Sequence, residues 1–297
     1  MVAIYLPLFA LTARAFPLRP WEETNRGISP DSGTDDFIDP ESSWDSATGY
    51  DDGQWHPSQS WNASADESAT EPWSASSSPA ATPATASVTS GYRMYTGDGS
   101  TQDGWPSEPD FKSFDELWDA NEPVMSTSCS LFDQANDSPD EINDLKSAIE
   151  HVSQSAHVDP RFALAIMMQE SKGCVRVWST SHSHTNPGLF QSHKGSGSCN
   201  TGTDLSASGV QNPCPASEIR QMVSDGVEGT DSGDGLEQLL EEEGGNFFKA
   251  ARRYNSGSID PSGDLSKGVA THCYASDVAN RLIGTLTGEA SACTLDD

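Results

Sequence analysis

The residues best suited to chemistry in this sequence fall in three short clusters: Gln169-Glu170-Ser171, Gly188-Leu189-Phe190-Gln191 and Tyr254-Asn255-Ser256-Gly257. Glu170 is the pivot, because it closes a run, Asp159 to Gly173, that is apolar on nearly every side. Phe162, Ile166 and Glu170 stand at i, i+4 and i+8, so one helical stripe passes from aromatic to aliphatic to carboxylic acid. A carboxyl group in such a place is costly unless it is paired, neutral or put to work. Held neutral by burial, it is a proton donor near neutral pH. The plain alternative is a structural Glu paired with Arg252 or Arg253. The other two clusters are weak singly: Gly-Leu-Phe-Gln fits any turn, and Tyr-Asn-Ser-Gly is a good helix stop.

The elements that position these residues are helical. Asp159 is a good N-cap, Pro160 fits the first helical position and Gly173 suits a left-handed stop, which predicts a helix surrounded by protein. Ahead of it, Ser138-Pro139-Asp140-Glu141 is a capping box followed by Ile142, Leu145, Ile149 and Val152 at helical spacing, to about Ala156. Residues 174–213 are polar and Gly-rich, predicting mostly loop with a short hairpin. Further helices are predicted around Ile219, Met222 and Val223, around Leu236, Leu239 and Leu240, from Asn246 through Tyr254, and over Tyr274, Val278 and Leu282. Together they predict a compact α domain.

The 297-residue chain carries a net charge of −29, and its 34% of hydrophobic residues are unevenly spread. Met1 to Ala15 reads as a secretory signal ending in Ala13-Arg14-Ala15, although it lacks a basic start. From Phe16 to about Pro123 the Ser-, Asp-, Gly-, Thr- and Pro-rich sequence buries too little to fold, so 16–125 is expected to be a disordered acidic tail. Its seven tryptophans, Trp105 and Trp118 among them, are either aromatic stickers for a sugar polymer or features of a spacer. Order is expected from near Cys129, with the domain over 126–297. All six cysteines lie there; behind an export signal they favour three disulfides over metal ligands. Of about fifteen pairings, Cys199–Cys214 is the most natural local bridge.

The order and spacing of the clusters resemble the soluble lytic transglycosylase and goose-type lysozyme superfamily. That family runs as a helix, then "DP…lAi…ES", "GLMQ" and "aYNaG". This chain has Asp159-Pro160, Leu164-Ala165-Ile166, Glu170-Ser171, Gly188-Leu189-Phe190-Gln191 and Tyr254-Asn255-Ser256-Gly257, with Phe190 in place of the usual Met. The resemblance covers Ser138 to Gly257. It implies a mainly α, lysozyme-like domain around a buried central helix, with Glu170 as the catalytic acid. It also implies that Ser171, Gly188, Leu189, Gln191, Tyr254 and Asn255 bind the substrate. Glycosidic cleavage needs a proton delivered to a poor leaving oxygen, which a carboxyl of raised pKa supplies.

In goose-type lysozymes the candidate second carboxylates follow the catalytic Glu. Here Ser171 to Thr203 contains no Asp or Glu, which points to single-carboxylate chemistry unless Asp204, Asp225 or Asp231 folds back. The same stretch holds Lys172, Arg176, His182, His184, His193 and Lys194, and a locally basic cleft is expected to offset the chain's acidity toward anionic peptidoglycan. The histidines as a metal site are the lesser alternative; no metal or other cofactor is expected. The resulting expectation is a secreted, monomeric enzyme acting on an N-acetylated β-1,4 glycan, peptidoglycan first and chitin second. Neither nucleic acid nor membrane is expected as a partner. A non-catalytic glycan-binding protein is the competing class.

Overall fold

The computed structural model describes residues 91–181, 184–203, 206–288 and 293. The expected signal sequence and the tail up to residue 90 lie outside the described residues. What is described is mainly helical: α1 Phe114–Ser128, α2 Pro139–Ser155, α3 Pro160–Glu170, α4 Ala216–Val227, α5 Leu236–Glu242, α6 Phe247–Ser256 and α7 Tyr274–Leu282. Strand is confined to an antiparallel hairpin, β1 Thr180–Ser181 with β2 Thr185–Asn186. None of the described helices is long and apolar enough to cross a membrane.

α3 is the core element, with Phe162 through Met168 all buried. It packs between α2 and α7; α2 also carries α4, and α7 also carries α6. The local signals that predicted these helices operate as expected. Ser138 and Glu141 cap α2 reciprocally, Asp159 accepts the Arg161 N–H at 2.8 Å, and Asn246 accepts the N–H groups of Phe248 and Lys249. α3 stops at Glu170, three residues before the expected glycine. Lys172 folds back there and its ammonium donates to the carbonyls of Met168 and Gln169 at 3.0 and 2.9 Å, satisfying the helix end.

The expected tail boundary is corrected by the structure, because residues 91–125 belong to the domain. Ser113 and Glu116 form a capping box at the start of α1, and Leu117, Trp118 and Met125 are buried. Ahead of α1, residues 92–111 run as a strap along α7. The Arg93 N–H donates to Asn280 Oδ1 at 3.0 Å and the Asn280 amide donates to the Arg93 carbonyl at 2.7 Å. One turn earlier on α7, Ser276 Oγ accepts from the Tyr95 N–H and donates to the Tyr95 carbonyl. Trp105, 3% exposed, stacks on Tyr95 with ring centroids 4.9 Å apart and meets Phe248 of α6 at 4.7 Å. Two of the seven tail tryptophans are therefore core residues and not stickers.

Three disulfides, Cys129–Cys174, Cys199–Cys214 and Cys273–Cys293, close the domain. They include the expected local bridge, and they suit an oxidising compartment. Arg176 lies fully buried against Asp137 and Glu141. Burial raises the Glu141 pKa, but Arg176 and the N–H groups of Ser138 and Cys214 outweigh it and hold the carboxyl at about 2. This buried cluster ties the start of α2 to the loops after α3 and before α4.

Candidate functional site

Glu170 opens onto a cleft of about 550 Å³. Because α3 is packed on all sides and ends at this residue, its last side chain emerges where the helix meets the cavity floor. The carboxyl is half-buried and accepts a hydrogen bond from the Tyr274 hydroxyl at the first turn of α7. Burial pushes its pKa up to about 7, against the Tyr274 hydrogen bond and the Lys172 charge, which both favour the carboxylate. Burial and the neighbouring Glu170 charge raise the pKa of Tyr274 well above its ordinary value, so the phenol stays a neutral donor. Among the described residues no arginine pairs with Glu170: Arg252 bonds Asn255 and the carbonyls of Val269 and Thr271, and Arg253 pairs with Glu242 and Glu243. The structural ion-pair alternative for Glu170 is thereby removed.

Of the expected site residues, Gln191, Tyr254 and Asn255 line the same cleft as Glu170. Tyr254 donates to the Phe190 carbonyl at 2.9 Å, and burial followed by the Glu170 charge raises its pKa, keeping it protonated. Gln191, at φ +48°, accepts the Thr180 N–H and donates to the carbonyls of Trp178 and Gly188. It joins the hairpin wall to the turn. Asn255 Oδ1 accepts from Arg252 and from the Thr271 N–H, which fixes it at the end of α6.

Ser171, Gly188 and Leu189 do not line the cleft, a correction to the expected set. Ser171 is buried, and its hydroxyl donates to the Met167 carbonyl and accepts the Gly173 N–H, so it finishes α3. Leu189 is a fully buried core residue. Gly188 acts through its backbone: at φ +75° it is left-handed, and an added Cβ would stand 2.7 Å from Met222 Cγ and 2.9 Å from the Gly197 carbonyl oxygen. Gly226 on α4 plays a matching part, since a Cβ there would lie 2.2 Å from the Phe190 ring. These two glycines let the turn press against α4 and set Gln191 at the cleft.

The hydrogen-bond partner of Glu170 escaped the sequence reading as a site residue. Tyr274 sits in the apolar stripe Tyr274, Val278 and Leu282 and was counted as core; its position directly after Cys273, at a helix start, is the one local hint. Asp225 does face the cleft, as one of three carboxylates that the sequence left open. Its oxygens accept from the N–H groups of Ser196 and Gly197 at 2.6 and 2.7 Å, from Ser196 Oγ and from the Gln221 amide. It fastens the 196–197 loop to α4. Asp231 is exposed and outside the cleft wall, while Asp204 lies outside the described residues.

The expected basic cleft is also corrected. Arg176 is spent in the buried cluster and Lys172 on the end of α3, which leaves His193 on the cleft wall. The His184 ring meets His193 edge-on at 4.5 Å. Burial, His184 and Lys194 lower the His193 pKa. His182 lies outside the described residues. Among the described residues, the grouping with ligand-like spacing is Cys129, Cys174 and Asp137, and its two sulfurs are joined to each other. Searches of protein-family models, of curated proteins and of solved structures returned no match for this chain.

Proposed function

We propose that the protein is a secreted glycosidase of lysozyme-like fold that cleaves the β-1,4 bonds of an N-acetylated glycan, peptidoglycan or chitin. The observation that carries this reading is Glu170: an acid with a pKa of about 7 on the floor of an open cleft, held by a neutral tyrosine. Gln191, Tyr254 and Asn255, which the family resemblance marks as groove residues, stand around it.

In this mechanism the protonated Glu170 gives its proton to the glycosidic oxygen as the C–O bond breaks and the sugar ring gains oxocarbenium character. The resulting carboxylate, stabilised by the Tyr274 hydroxyl, then takes a proton from the incoming nucleophile. That nucleophile is water in hydrolysis or the sugar's own 6-hydroxyl in transglycosylation. The four hydrogen bonds already accepted by Asp225 favour a route in which Glu170 serves both steps. The three disulfides support secretion.

The test is digestion of peptidoglycan and chitin oligomers by wild type and Glu170→Gln, with products identified by mass. Anhydro-muramyl ends indicate transglycosylation, and new reducing ends indicate hydrolysis; the variant should give neither. If wild type releases nothing from either polymer yet binds them, the protein is a glycan-binding protein and the enzyme reading is lost.

A further inference from the structure

We propose that the cleft selects its glycan by charge, taking chains of amino sugars without carboxylates and preferring those with free amino groups, as in partly deacetylated chitin. This rests on the glycosidase reading for the identity of the polymer, but its basis is the cleft's own electrostatics. Part of the lining comes from residues 225–239, a stretch of acidic residues without Lys or Arg. Asp225 and Asp234 of this segment face the cavity. Arg253 also faces it, but Glu242 and Glu243 behind the guanidinium outnumber its charge. The lining contributed by the hairpin and the turn after it, Thr180, Asn186 and Gln191, is neutral.

The sequence promised compensating cations, and the fold withdraws them. Arg176 is sealed in the core, and Lys172, whose charge still bears on Glu170, closes α3 and does not line the cleft. His193, with its lowered pKa, carries little charge at neutral pH. Lys194 is exposed and not part of the wall. A polymer bearing lactyl and peptide carboxylates therefore meets like charge at Asp225 and Asp234, whereas protonated amines meet opposite charge there. Neutral N-acetylated chains feel neither.

The charge of the full chain would itself attract a polycation, so the experiment must isolate the cleft. Affinity of the full-length Glu170→Gln protein is measured for soluble peptidoglycan fragments, chitin oligomers and partly deacetylated chitin oligomers, at mildly acidic pH. Salt is raised from about 0.01 to about 0.1 M, which shortens the screening length from about 30 to about 10 Å. Asp234→Lys is added to the same background, and Asp119→Lys, an exposed change of equal charge on α1, serves as control. At low salt the deacetylated chains should bind best and the peptidoglycan fragments worst, with the gap closing as salt rises. Asp234→Lys should narrow the gap about threefold to tenfold more than Asp119→Lys. Equal or tighter binding of peptidoglycan at low salt, or equal effects of the two lysines, overturns the proposal. Parallel digestion by wild type keeps the two readings apart. Absence of products with the charge preference intact removes the glycosidase, and products without the preference remove the charge selection.

Discussion

Replacing Glu170 by Gln should make the protein more stable, and only at neutral to alkaline pH. The native carboxyl has its pKa raised by burial to about 7, against an ordinary value of 4.5. Below about pH 4.5 the group is protonated in both folded and unfolded chains and contributes no difference. Between 4.5 and 7 the unfolded chain loses this proton while the folded one keeps it, so stability falls as pH rises. Above 7 the full penalty stands: the rise from 4.5 to about 7, at about 1.4 kcal/mol per pH unit, amounts to roughly 3 kcal/mol before solvent is considered. The carboxyl opens onto a water-filled cleft, which lowers this to on the order of 2 kcal/mol. Gln has the shape of the neutral acid and can still accept from Tyr274, so the variant escapes the penalty. Thermal unfolding of both proteins at about pH 4.5 and about pH 8.5 is the assay. The variant should match wild type in acid and unfold about 4–8 °C higher in base. A variant less stable than wild type in base, or displaced equally at both pH values, would refute the account of Glu170 as a carboxyl held neutral by burial.

Two further outcomes follow from the same packing. Tyr274→Phe removes the donor that favours the Glu170 carboxylate, a charge-assisted bond worth about 1.5–3 kcal/mol, so the alkaline limb of the cleavage pH profile should move up by about 1–2 units. A limb that stays in place or moves down would show that Tyr274 does not tune the acid. Trp105→Ala should cost about 3–5 kcal/mol in denaturant unfolding, because the indole is buried between Tyr95 and Phe248. A loss below about 1 kcal/mol would mean that the strap is not part of the core. Truncation through Trp105, harmless if the region were a tail, is expected to be severe for the same reason.

The helices whose caps and apolar spacing coincide, α2, α3 and α6, were legible to within a few residues, because local chemistry decides where they begin. Glu170 was legible as well, since the cost of a carboxyl at the end of an apolar helix can be read without coordinates. The strap was not. Its anchors on α7 are Asn280 and Ser276, polar residues that bond backbone about 180 positions away, and composition counts such residues as solvent-seeking. Its apolar residues Tyr95, Trp105 and Phe111 are too widely spaced for any helical or strand period. α1 did carry a signal, the Ser113–Glu116 capping box and Leu117, Asn121 and Met125 four apart, but it was submerged in the acidic composition around it.

Charge was the most misleading guide, because a sequence gives the sign of a side chain and not its employment. Lys172 and Arg176 follow Glu170 closely and look like a basic rim; one ends up capping helix carbonyls and the other pairing with two buried carboxylates. What reaches the cleft comes instead from Asp225 and Asp234, the first of which the sequence offered only as a candidate second carboxylate. Asp225 stands on α4 and Asp234 in the loop before α5, so both of these cleft acids lie ahead of α5, whose Leu236 and Leu239 are buried. On the proposed charge selection, the placement of α4 and of the loop before α5, and not the acidity of the chain as a whole, sets which glycan the cleft accepts.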